Sequence, residues 1–296
     1  MTWATVVVLA GTEAPFLDRV LDGLDAQGIS ELRSEVVLVD GSETGEAAAL
    51  AEERAPRYPL TAVRAGGPLT PGAARNLGVA RAAGRWVCFL AADCIPAAGW
   101  LSRRIAWHER GRAAVAGSVE CARPATLAGR TQWLTRFSGA VARGRPREGT
   151  SPLFGWSYDR SLLDRPFPEH IPLGEDGAFN RDLVASGVRV WFDPSVRIDH
   201  IGVGSYRELR EHQRRHGASA ARLGLPPLRR SVAGPALVPW YAVAKWGRTL
   251  LRLAGDRPGQ LGWFVVLTPW SLGAYGAWAR GFLSDERERE AGWQPG

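Results

Sequence analysis

Two hydrophobic patterns alternate along the first 120 residues. Residues 5–9 (TVVVL), 35–39 (EVVLV) and 86–90 (WVCFL) are short apolar runs, of the kind buried on both faces of a parallel sheet. Between the first two runs, Phe16, Val20, Leu21 and Leu24 share one helical face that stops near Gly28. Strand, helix and strand within forty residues predict a βαβ unit, whose right-handed crossover puts both strands in one parallel sheet. The same reading predicts helices near 43–54, 72–83 and 100–110 and strands near 60–64 and 113–119. From 126 to 150 the pattern weakens. The expected fold is an α/β domain with a mostly parallel sheet flanked by helices.

Further on, a helix is expected from Glu175, carrying Phe179, Leu183 and Val184, with apolar strands at 188–192 and 196–198. Beyond about residue 203 the chain turns helical. Residues 232–251 combine Trp240, Tyr241 and Trp246 with Lys245 and Arg248, the mixture of interfacial helices. Residues 261–279 contain no charge, and nineteen helical residues rise about 28 Å, enough for a hydrocarbon core. Pro269 and the flanking glycines make a kinked or hairpin insertion the expectation over a straight span; packing into a core or a dimer is the other reading. The predicted organisation is a first domain over 1–203, with halves 1–100 and 101–203, and a helical membrane-associating region over 204–296.

Charge sharpens this picture. Residues 201–260 carry ten Arg and Lys245 against Glu208, Glu211 and Asp256, whereas residues 1–200 balance. The basic excess borders the most apolar stretch, which points to an anionic membrane surface. No helix-turn-helix, zinc-finger or RNA-binding signature is present, so nucleic acid is not expected as a partner. The three cysteines, Cys88, Cys94 and Cys121, lack metal-type spacing and do not suggest a disulfide framework, which fits a reducing cytoplasm. The apolar run at 6–10 is too short for a signal peptide.

Candidate chemistry gathers at strand ends. Asp40 follows the second strand and Asp93 the strand at 86–90; in open α/β sheets ligands bind outside the carboxyl ends of the strands. The loop after the first strand lacks a G-x-G-x-x-G fingerprint, which argues against nicotinamide or flavin. Glu175 and Asp176 open a helix, where acids also serve the helix dipole without any chemistry. His200 follows a strand, and such a residue is either structural or a metal ligand.

Taken together, VVLVDGSETG at 36–45, ARNLG at 74–78, AGRWVCFLAADCIP at 83–96 and GEDGAFNRD at 174–182 resemble the family-2 glycosyltransferases of GT-A fold. The resemblance covers about residues 5–202. It implies that Ala10, Gly11, Glu13, Asp40 and Gly41 cradle the nucleoside, with Arg75 near the diphosphate. It implies that Asp93 binds a divalent metal (Mn or Mg), with His200 completing the shell. It also implies Asp176 as general base, Glu175 as an orienting group, and Arg181 holding the loop by ion pairing. The Arg/Gly-rich stretch at 142–149 would be a mobile loop on the acceptor side. The family's strand ends in Asp-x-Asp, whereas this chain has Ala91 where the first Asp would be.

The implied activity is inverting transfer of a sugar from a UDP- or GDP-linked donor to a lipid-linked or cell-envelope glycan. It would take place at the cytoplasmic face of a bacterial inner membrane, with a homodimer among the expected partners. Two rivals remain. A nucleotidyltransferase would need a glycine-rich basic loop that residues 10–15 lack. An inactive GT-A-fold binding protein is suggested by Ala91.

Overall fold

The computed structural model describes residues 3–11, 14–139, 143–149, 155–223 and 234–290. Glu13, Ala142, Phe154, Pro226 and Pro227 lie outside them. The chain forms two compact units, Met1–Ala122 with Ala140–Ile201, and Arg123–Gly139 with Gly202–Gly296.

The first unit begins β1 (Ala4–Ala10), α1 (Leu17–Asp25), β2 (Glu35–Asp40), α2 (Glu46–Arg54), β3 (Leu60–Arg64), α3 (Pro71–Arg81) and β4 (Trp86–Ala91). It continues with β5 (Cys94–Pro96), α4 (Trp100–Glu109) and β6 (Ala114–Cys121). After α5 (Leu127–Arg136), which belongs to the second unit, come β7 (Arg147–Glu148), β8 (Ser157–Asp159), α6 (Glu175–Ala185) and β9 (Val190–His200). The strands form one sheet in the order β3-β2-β1-β4-β8-β6-β9-β5, with β7 on β9. The long pairings are parallel: β1 with β2 and β4, β2 with β3, and β6 with β9. Short antiparallel strands complete it, β8 between β4 and β6, and β5 and β7 against β9.

The apolar runs are central strands. Val6, Val7 and Val8 of β1 are completely buried. Helix α3 starts at Pro71 with Thr70 as its cap, the side chain accepting from Ala73 N, and it lies so close to β1 that a Cβ on Gly78 would sit 2.3 Å from Val7 Cγ1. The two apolar segments expected around residue 194 are one strand. Pro194 cannot join the ladder, and the register against β6 shifts at Gly117/Ser118, where Ser118 Oγ donates to the Pro194 carbonyl at 2.8 Å.

Helix α4 buries two polar residues, Arg104 and His108. The Arg104 guanidinium donates to the carbonyls of Val115 and Gly155 and, at 3.0 Å, to Ser157 Oγ. His108 Nδ1–H donates to the Arg112 carbonyl at 2.6 Å, and in the neutral ring Nε2 accepts from the Ser157 hydroxyl at 2.8 Å. The carbonyl accepts only, so the proton of the neutral ring sits on Nδ1. Burial, ahead of the neighbouring Arg104 charge, pushes the His108 pKa down to about 4.

The second unit holds α5, α7 (Tyr206–Arg222), α8 (Val238–Asp256), α9 (Leu261–Val266) and α10 (Thr268–Glu290). Helices α7 and α10 touch backbone to backbone. A Cβ on Gly217 would lie 1.9 Å from the Trp278 carbonyl oxygen, and one on Gly281 the same distance from that of Arg214. The charge-free run at 261–279 is divided between two helices. Within α10 Ala274, Tyr275, Ala277 and Ala279 are buried, and Tyr275 shares a 2.7 Å hydroxyl contact with Thr249 of α8. Among the described residues no helix is long and apolar enough to cross a membrane. Phe264, Leu267 and the α10 residues just named are thus internal packing, whereas Trp263, Val265 and Val266 of the same run are exposed.

Candidate functional site

The parallel register lines up the carboxyl ends of three strands. Ala10 is opposite Asp40, and Leu9 is opposite Ala91. The Gly41 amide donates to the Ala10 carbonyl at 2.8 Å and the Ala92 amide to that of Leu9 at 2.9 Å. Ala10, Gly11, Asp40, Gly41 and Asp93 are thereby brought to one edge of the sheet. The Asp40 carboxylate is buried, with Oδ1 accepting from Ser42 N and Oδ2 from Ala48 N, both at 2.8 Å.

Just past β4 the chain doubles into β5, which pairs antiparallel with β9 so that Cys94 is directly opposite His200. This pairing brings Asp93 Oδ2 to 3.3 Å from His200 Nε2, while the Cys94 thiol donates to Asp93 Oδ1 at 3.2 Å. A carboxylate oxygen, an imidazole nitrogen and a sulfur lie within 4.8 Å of one another. His200 is nearly enclosed, whereas the Asp93 side chain keeps 23% of its surface, so the carboxylate is the accessible member. The donor set, one oxygen, one nitrogen and one sulfur, fits a divalent cation: the carboxylate suits Mg2+ or Mn2+, and the imidazole and sulfur suit softer ions such as Zn2+. The sequence reading joined Asp93 to His200 and missed Cys94. The relevant signal was not cysteine spacing but the three-residue strand that pairs it with His200.

The second cluster joins α3 to α6. Gly174, at φ 91°, precedes the helix without a side-chain cap. Arg75 Nε lies 2.9 Å from Glu175 Oε1, and its Nη2 lies 3.9 Å from Asp176 Oδ2. The guanidinium also sits over the rings of Phe89 and Phe167, at 5.1 and 5.5 Å. Burial opposes its charge, but Glu175 and Asp176 more than offset this and raise its pKa. Burial raises the Glu175 pKa and Asp176 adds to the rise, against the pull of Arg75.

Of the two acids, Asp176 is the more accessible, with 18% of its side chain exposed against 4% for Glu175. Its Oδ1 accepts from Gly177 N at 2.7 Å. Arg181 is exposed, and among the described residues it has no ion pair; α6 turns Ala178, Phe179, Asn180 and Leu183 inward and leaves position 181 in solvent.

Comparison with known proteins follows this geometry. The chain matches no curated protein. Its fold is similar to that of the mannosyltransferase PcManGT from Pyrobaculum calidifontis in complex with GDP-Man and Mn2+, with a TM-score of 0.60 and 21% identity over 97% of this chain and 87% of that one. It is also similar to S. aureus TarS 1-349 in complex with UDP-GlcNAc, with a TM-score of 0.55 and 15% identity over 98% and 92% of the two chains. Residues 5–165, which span the sheet edge with Asp40 and Asp93 and the helix bearing Arg75, match the family described as glycosyl transferase family 2. The chain belongs to glycosyl transferase family 2.

Proposed function

We propose that this glycosyltransferase moves a sugar with inversion from a UDP- or GDP-linked donor to a lipid-linked or cell-envelope glycan, at the cytoplasmic face of a bacterial membrane. The observation that carries the reading is the Asp93–His200 pair, 3.3 Å apart beyond the carboxyl end of β4. Ala10, Gly11, Asp40 and Gly41 line the strand ends beside it and are assigned to the nucleoside. Asp93 and His200 would hold a divalent cation, which would supply positive charge to the departing diphosphate. We assign Mn2+ or Mg2+ to this cation, through the Asp93 carboxylate.

Asp176 is assigned to take the proton of the acceptor hydroxyl, since inversion needs a carboxylate on the side opposite the leaving group. Glu175 is too enclosed for that task, and its bond with Arg75 suits it to fixing the start of α6. Arg75 is therefore assigned to hold the two acids instead of contacting the diphosphate. Ala91, where the family has a carboxylate, supports a second reading in which the protein binds nucleotide without turning it over.

Calorimetric titration of UDP and of GDP, with and without Mn2+, separates the readings. Metal-dependent binding lost in Asp93→Ala supports the site, and turnover of a bound sugar nucleotide excludes the non-catalytic reading. Absence of binding by both nucleotides would remove Asp93 and His200 from the assignment.

A further inference from the structure

Helix α8 packs into the second unit through Ala242, Thr249 and Leu253, which are buried. At about 100° per residue, Trp240, Ala244, Gly247, Leu251 and Ala254 fall on the opposite face. That outward stripe has no polar side chain, and it is open: Trp240 is 73% and Leu251 75% exposed. An exposed apolar stripe of this kind marks a docking surface.

The borders of the stripe indicate what. Along one side run Lys245, Arg248 and Arg252, and among the described residues none of them has a carboxylate within ion-pair distance. Burial and then the Arg248 and Arg252 charges hold the Lys245 ammonium below its ordinary pKa, as expected for cations crowded together. On the other side α9 packs against α8, with Phe264 stacked on Trp246 at a centroid distance of 5.7 Å, and leaves Val265 and Val266 exposed.

We propose that the α8–α9 face docks on an anionic lipid bilayer, lying in the interface without crossing it. Tryptophan and aliphatic side chains enter the headgroup boundary while the row of cations meets lipid phosphates. A second copy of the chain fits less well, because a two-fold contact through this face would bring together two basic rows of three cations each, with Asp256 as the one acid that α8 carries.

The test is flotation of the whole chain with phosphatidylcholine vesicles, plain or with about one-third phosphatidylglycerol. No donor or acceptor is needed, so the result is independent of the proposed transfer reaction. The expected result is retention on the anionic vesicles alone. Retention should fall at least about tenfold in Trp240→Ser/Leu251→Ser, and by about fivefold per charge removed in Arg248→Glu/Arg252→Glu.

All four positions are exposed or partly exposed, so both variants should melt as the parent does; the two act on different components, and either one that folds tests the proposal. The proposal is overturned by absence of flotation with anionic vesicles, or by retention that neither variant weakens. It is also overturned by a dimer in light scattering that Trp240→Ser/Leu251→Ser dissolves.

Discussion

Arg75 Nε and Glu175 Oε1, 100 residues apart in the chain, are 2.9 Å apart in the fold and almost completely enclosed. Removing one member of such a pair leaves the other as a buried, uncompensated charge, which costs about 3–5 kcal/mol. Arg75→Met should therefore lower the free energy of unfolding by that amount in urea at neutral pH. Arg75→Met/Glu175→Leu should recover most of the loss. A double variant no more stable than the single one would show that the pair is not the source of the cost.

Asp176 and Asp93 should separate chemistry from binding. Asp176→Asn keeps the shape of the side chain and removes a base, so turnover should fall about 10²- to 10⁴-fold while nucleotide affinity with Mn2+ holds. Asp93→Ala should instead abolish the metal dependence of nucleotide binding. Initial rates alongside calorimetry check both; an Asp176→Asn enzyme with undiminished turnover would move the base elsewhere.

The neutral His108 ring gives the fold a sensitivity to acid. Its folded pKa of about 4 lies below the ordinary value of 6.5, so the unfolded chain takes up the proton first as pH falls. Stability is full above about pH 6.5 and is lost progressively down to about pH 4, by about 3 kcal/mol in total. Denaturant melts across this range should show the slope, and His108→Leu should reduce it whatever its effect at neutral pH; the rest belongs to His216, whose pKa burial also holds well below the ordinary value.

Two glycines should respond in opposite directions to alanine. At Gly217 the new methyl would meet the Trp278 carbonyl oxygen, and forcing α7 from α10 should cost at least about 1–3 kcal/mol. At Gly247, within α8, nothing lies within 4 Å of the added carbon, so Gly247→Ala should stabilise by about 0.5–1 kcal/mol. Thermal unfolding of the two variants gives both signs.

Much of the sheet was readable because its central strands are apolar on both faces, a pattern that β1, β2 and β4 carry in four or more consecutive residues. The carboxylates after β2 and β4 could be placed for the same reason. Strands β5 and β8 have three residues each, too few for any period, and with β5 went the position of Cys94 beside His200. Helix α5 was hidden because its inward residues include Thr131 and Gln132 as well as Trp133 and Leu134. The partner of Arg75 was hidden by sequence distance. Residues 261–279 were ambiguous on physical grounds: absence of charge is equally suited to lipid and to the close crossing of α10 with α7.

The two backbone bonds of Asp40 tie the carboxyl edge of the sheet to the stability of α2. That helix begins after Gly45 with no side-chain cap of its own, and Asp40, from the end of a neighbouring strand, satisfies the Ala48 amide in its first turn. A nucleoside that hydrogen-bonds to the same carboxylate would restrain the side chain that caps the helix. Occupancy of the edge should then slow hydrogen exchange at Ala48, so that one backbone amide reports on a ligand it never touches.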